Sequence, residues 1–137
     1  MRYKREKRMW LFGYISDQSP KYLNIHCWLP FLNHDTPVFT GGEKIMKKMN
    51  DAVFYVDMQR PERGKYICTF RLITDKPAEM QENEITTHFF KMLEDTIKRD
   101  PRLYLWTHDR WKRNHEHFDK YYVMENGHVI KRKDVEL

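Results

Sequence analysis

"AVFYVDMQRPERGKYICTFRLIT", residues 52–74, decides the fold class. Two runs rich in aromatic and β-branched residues flank "PERG", residues 61–64, where a proline and a glycine interrupt the pattern. The spacing predicts an antiparallel hairpin, with "AVFYVDMQR" a buried strand and "KYICTFRLIT" an alternating one. Downstream, "NEITTHFFKMLEDTIKRD", 83–100, places Ile85, Phe89, Met92, Leu93 and Ile97 on one face. That is an amphipathic helix, ended by Pro101. Upstream, "FTGGEKIMKKMN", 39–50, predicts a shorter helix with an apolar stripe of Ile45, Met46 and Met49 and a stop at Asn50. Thr40 followed by Glu43 fits a capping box.

Further out the pattern weakens. "MWLFGYIS", 9–16, is apolar nearly throughout and reads as a strand buried on both faces, ended by "DQSP". "KYLNIHCWLPFLNHDTPV", 21–38, has aromatics without a period and is broken by Pro30 and Pro37, so a long loop with apolar anchors is expected. After residue 113 the chain is polar, with room for at most a small hairpin at Asn126-Gly127. The order strand, helix, strand, strand, helix defines an α/β protein. A strand 9–16 with few neighbours would leave an open edge and an apolar patch, so self-association is expected.

Bulk properties narrow the partners. The 137 residues make one domain, long enough to bury roughly 65–70% of the unfolded surface. A net charge of +5 favours anionic partners: nucleic acid, phospholipid head groups or phosphorylated substrates. Two cysteines, Cys27 and Cys68, form no disulfide framework, which suits a reducing compartment. No apolar run approaches the about 20 residues of a membrane span. The basic-then-apolar N-terminus is too short in its apolar part for a signal peptide.

Several clusters bear on chemistry. The seven histidines show neither C-x-x-C nor H-E-x-x-H spacing, so no metal site is expected. Basic residues mixed with Tyr104, Trp106, Trp111 and Phe118 suit phosphate pairing and base stacking, yet no nucleic-acid motif is present, and nucleic acid is the weaker partner class. Asp17, after a buried strand, stands where open α/β sheets place ligands; it is equally placed to cap its turn. The glycines of "TGGEK" allow an anion site at a helix N-terminus or simply a tight turn. "LYLWTHDRWKR", 103–113, mixes tryptophans with cations, as a boundary between apolar material and anions requires. The competing assignment packs Trp106 in the core and pairs Arg110 with an acid.

Three segments taken in order, "GYISDQSP", "PFLNHDTPVFTGGEKIMKKMNDAVFYVDMQR" and "IKRDPRLYLWTHDRWKR", resemble the C-terminal half of the lipid A biosynthesis acyltransferases, the late lauroyl- and myristoyl-transferring enzymes. The resemblance implies a partial glycerolipid-acyltransferase-like αβα sandwich with a mixed sheet. It divides the chain into 1–113, a C-terminal portion of an acyltransferase domain, and 114–137, a polar basic tail. The implied reaction moves a fatty acyl group from an acyl carrier protein or coenzyme A thioester to a glycolipid hydroxyl. It would take place at the cytoplasmic face of the inner membrane, with this chain peripheral and no cofactor bound. Asp17, Gln18, Arg60, Arg110 and Lys112 are the expected substrate-binding residues.

The resemblance also implies a catalytic His-x4-Asp or His-x4-Glu, in which the acid orients a histidine that activates the hydroxyl. Here His26, His34, His88, His108, His115, His117 and His128 are followed five positions on by Phe31, Phe39, Leu93, Arg113, Lys120, Tyr122 and Lys133. None is an acid. The family carries that motif upstream of the segments matched here, so the chain alone is expected to be inactive. The alternative is a non-catalytic basic module that binds anionic lipid or nucleic acid.

Overall fold

The computed structural model describes residues 10–133. The hairpin at 52–74 is its longest ladder. Strand β3 (Val53–Glu62) pairs antiparallel with β4 (Lys65–Thr74), and Gly64 takes the positive φ of +80° that the turn needs. Before it, β1 (Cys27–Phe31) and β2 (His34–Val38) form a second hairpin; after it, β5 (Tyr122–Glu125) and β6 (His128–Lys131) form a third. The helices are α1 (Gly41–Met49), α2 (Glu84–Arg99) and α3 (His115–Tyr121). The chain is therefore mixed α/β. Its described strands make three separate antiparallel pairs, not the single mixed sheet that the resemblance implied.

Three expectations are corrected. Residues 10–16 form no strand, and Trp10, Leu11 and Ile15 are 51%, 84% and 81% exposed; residue 9 lies outside the described residues. Apolar content alone marked this stretch as buried, but among the described residues no strand pairs with its backbone. The open strand edge on which self-association partly rested is therefore not found at 10–16, while Leu11 and Ile15 there are exposed apolar side chains. The loop expected over 21–38 holds a short 3-10 turn at Tyr22–Asn24 and then the β1–β2 hairpin, with Leu32 and Asn33 at positive φ in its turn. Pro30 and Pro37 hid it, yet both are tolerated because a two-stranded sheet is all edge. The segment after 113 holds helix α3 as well as the expected Asn126-Gly127 turn, where both residues have positive φ.

Helix α2 organises the core. Phe90 and Ile97 pack with Phe31 and Val38 of the first hairpin and with Tyr104. A smaller cluster of Ile25, Phe118, Tyr122 and Val129 ties α3 and the last hairpin to residues 22–28. His115 adds a clip there: Nδ1 bonds the Asp35 carboxylate, and the ring stacks on Trp28 at 4.3 Å.

The β3–β4 hairpin is held to α2 by a buried acid. Asp57, 1% exposed, points inward from β3. Arg99 of α2 reaches it at 2.6 Å and Arg71 of β4 at 2.7 Å. Thr96 donates to the same carboxylate at 3.3 Å and accepts from the Tyr55 hydroxyl at 2.8 Å. The opposite face of β3 is open, with Phe54 and Val56 about half exposed, so this strand is buried on one face only. No further strand covers it among the described residues.

The hydrogen bonds from Arg99, reinforced by the charges of Arg99 and Arg71 against the cost of burial, hold the Asp57 carboxyl below its ordinary range. A depressed folded pKa adds stability that is present above the unfolded value, near 3.8, and is lost as pH falls through the folded value. Asp57→Asn is expected to cost about 2–3 kcal/mol at pH 7, as for a charge-assisted hydrogen bond. The difference from the parent should shrink below about pH 4. Urea titrations of both proteins at pH 7 and pH 3 check this; an equal gap at both values would contradict it.

Candidate functional site

An apolar recess of about 310 Å³ lies between the 10–16 segment, α1, β3 and α2. Met46, Val53, Tyr55, Phe70, Ile85 and Phe89 supply much of its wall. The 10–16 segment forms its lip, and Ser16, the last of that segment in the wall, is followed directly by Asp17. Gly42 lets the lip close on α1: a Cβ there would stand 3.3 Å from the Tyr14 ring. The close approach that this glycine permits is therefore made by a tyrosine of the same chain.

Glu43 is the buried acid in the recess wall. It forms no capping box; Thr40 makes no side-chain cap bond to its own helix. The Glu43 carboxylate instead accepts from the backbone N–H and hydroxyl of Thr86, at 2.9 and 2.6 Å, and so caps α2 from another element. Lys47 lies 3.0 Å from its other oxygen, close enough to pair but without hydrogen-bond alignment. Burial pushes the Glu43 carboxyl up, but the Thr86 bonds and Lys47 outweigh it, and the net direction is down.

The segment 103–113 is a clasp. The Tyr104 hydroxyl donates to the Asp17 carbonyl at 3.4 Å, and His108 Nε2 accepts from the Ser19 N–H at 3.0 Å. Arg113 donates to the Ser19 hydroxyl at 3.4 Å. Trp111 donates to Thr36 Oγ1 at 2.9 Å, and Arg110 to the Pro37 carbonyl at 2.7 Å, both in β2. The clasp thereby joins the Asp17 turn to the first hairpin.

Of the five expected site residues, the structure brings Asp17 and Arg110 near each other. Arg110 is 1% exposed, its guanidinium 5.5 Å from the Phe90 ring centre. Its Nε and Nη1 are buried without a hydrogen-bond partner of good geometry. Burial lowers its pKa, against the opposing influence of Tyr104 and Asp17. Gln18 and Lys112 are exposed. Arg60 sits elsewhere, beside a shallow recess of about 350 Å³ that it shares with Arg99, Asp100 and Arg102. Trp106 is 52% exposed and bonds the Pro101 carbonyl, so it is not a core residue. Glu43 and His108 were missed as contributors, because both act on backbone groups distant in sequence. Among the described residues, no group of three or more His, Cys, Asp or Glu could hold a metal ion.

The sequence profile of the bacterial lipid A biosynthesis acyltransferases matches residues 3–113. The chain belongs to that family. No curated protein and no solved structure matches it. The matched residues contain the whole recess, the Asp17 turn and the clasp. Helix α3 and the last hairpin lie beyond them.

Removing the Glu43 carboxylate strips the start of α2 of its cap. Glu43→Ala is expected to cost about 1–2 kcal/mol, while Glu43→Gln, which keeps an acceptor oxygen, should cost less. Thermal denaturation of the two variants checks the order; equal losses would mean that charge, not hydrogen bonding, carries the contact.

Proposed function

We propose that this family member supplies the acyl-chain groove of an enzyme that moves a fatty acyl group from an acyl thioester to a glycolipid hydroxyl. The supporting observation is the apolar recess whose lip runs directly into Asp17. A hydrocarbon chain gains about 0.8 kcal/mol for each methylene it buries. An alkyl group lying in the recess would bring its polar end toward the Asp17 turn. In the reaction the acceptor oxygen bonds to the acyl carbon as the carbon–sulfur bond breaks. The hydroxyl proton passes to a base, and the carrier leaves as a thiol.

Asp17 and Gln18 would meet the polar end of the substrates. Arg60, with Arg99 and Arg102 beside it, would meet a phosphate of the glycolipid or of the carrier. Lys112 would act as an exposed cation at the rim. Arg110, being buried, serves best by holding its charge beside Asp17. The donor is an acyl carrier protein or coenzyme A thioester, and the setting is the cytoplasmic face of the inner membrane. No described helix is long and apolar enough to cross a membrane. None of the seven histidines has the His-x4-acid spacing, so the base is not assigned within this sequence. His108, whose Nε2 already accepts from Ser19, is poorly placed to take a substrate proton.

Two measurements test this. The chain should bind a dodecanoyl thioester, and Phe70→Glu, at a recess residue that is 57% exposed, should weaken binding about tenfold or more without unfolding the protein. Equal affinity would mean that the recess is not the groove. The chain should also turn over no acyl thioester beyond a boiled control.

One observation favours a second role, lipid-surface binding without catalysis. Leu11, Ile15, Phe54, Val56, Phe70 and Leu72 are exposed apolar side chains near the recess lip and on the β3–β4 hairpin. The basic residues Arg2 to Arg8 that would accompany them lie outside the described residues. Each cation near an anionic leaflet is worth about 1 kcal/mol and is screened by salt. Cosedimentation with anionic vesicles should fall steeply from low to high salt; equal binding to neutral vesicles would remove the electrostatic part.

A further inference from the structure

We propose that His108 is a positioning residue for Asp17: in its neutral form, with the proton on Nδ1, it fixes the 17–19 turn by accepting the Ser19 N–H at Nε2. This rests on Asp17 being a residue of the proposed site.

The segment that carries Asp17 has no sheet ladder, because residues 10–19 form no strand. Its backbone donors must find partners elsewhere as they leave water. The turn is bracketed by Ser16 in the recess wall and by the buried Pro20. Three contacts from the clasp reach it. The bond from the Tyr104 hydroxyl to the Asp17 carbonyl and that from Arg113 to the Ser19 hydroxyl are both 3.4 Å, near the outer limit for a hydrogen bond. The Ser19–His108 bond, at 3.0 Å, has ordinary length. It is also the one of the three that holds the turn by a backbone N–H, which cannot rotate away from its peptide plane.

His108 is itself fixed. Its own N–H donates to the Leu105 carbonyl at 3.0 Å, and its flanking residues are anchored by Tyr104 at one end and by Arg110 and Trp111 at the other. The imidazole thus stands on an anchored turn and offers an acceptor to one that has no sheet ladder of its own. That role selects the residue type. An imidazolium has N–H on both ring nitrogens and cannot accept, and lysine or arginine would meet a donor with a donor. Glutamine, whose side-chain oxygen reaches about as far as Nε2, can replace the acceptor.

The test uses the 137-residue chain labelled with ¹⁵N and ¹³C. Long-range ¹H–¹⁵N spectra should show His108 with its proton on Nδ1 and an unprotonated, hydrogen-bonded Nε2. In His108→Ala the Ser19 amide should exchange with solvent about tenfold faster, the loss of one hydrogen bond, and the Asp17 side-chain carboxyl resonance should move. In His108→Gln both should return close to the parent values. The Ile97 amide, in the core, reports folding and should be unchanged in both variants. A proton on Nε2 would overturn the assignment. So would a Ser19 exchange rate unaffected by His108→Ala, or a glutamine variant that keeps its core but fails to restore Ser19. These readouts involve no acyl ligand, so failure of thioester binding at the recess would leave them intact and would count against the proposed function alone.

Discussion

The buried carboxylate of Asp57 is the constraint on which the arrangement depends. It stands on a two-stranded sheet that shares no ladder with the other two hairpins. Nothing in backbone pairing holds β3 and β4 to the rest of the described molecule. Arg99 from α2 and Arg71 from β4 converge on Asp57, and Thr96 and Tyr55 extend the network. An isolated hairpin is marginal in water. Here a charged hydrogen-bond hub, aided by the inward Val53 and Tyr55, docks it on a helix. Because α2 also carries Phe90 and Ile97, the same helix is wall to the recess on one side and core on another.

The clasp at 103–113 solves a second problem of the same kind. The Asp17 turn and the first hairpin share no ladder, and a segment far downstream in sequence joins them. Tyr104, His108 and Arg113 take hold of the turn, and Arg110 and Trp111 take hold of β2. This explains why cations and tryptophans crowd into eleven residues. Most of them bond to the protein's own polar groups, and fewer face outward than their charge suggests. Lys112 and Trp106 remain exposed and available to a partner.

Family membership and the recess fit one another physically. An enzyme acting on acyl chains needs an apolar cleft that ends at polar groups, and the lip of this recess continues into Asp17. A half-exposed apolar surface lies beside it. Helix α3 and the last hairpin, outside the family match, close a separate small core around Tyr22 and Trp28.

The sequence by itself determined the β3–β4 hairpin, helices α1 and α2, the Asn126-Gly127 turn and the family. Each is written locally, in side-chain period, in a turn residue with positive φ or in ordered motifs. It also singled out Asp17 and Arg110, and the Asp17 charge reaches Arg110, opposing the effect of burial on the guanidinium. Only the tertiary structure decided whether residues 10–16 formed a strand, because a run of apolar residues is the same whether or not a neighbour exists to pair with it. The same holds for the first hairpin, where prolines that would break an inner strand are harmless at an edge. Glu43 capping α2 and His108 accepting from Ser19 were invisible for a related reason. A side chain that satisfies a distant backbone group leaves no periodicity, since the partner N–H is present at every residue except proline. The chemistry of the groups is legible in the sequence; which groups meet is settled by the fold, because only the fold brings them within hydrogen-bond reach.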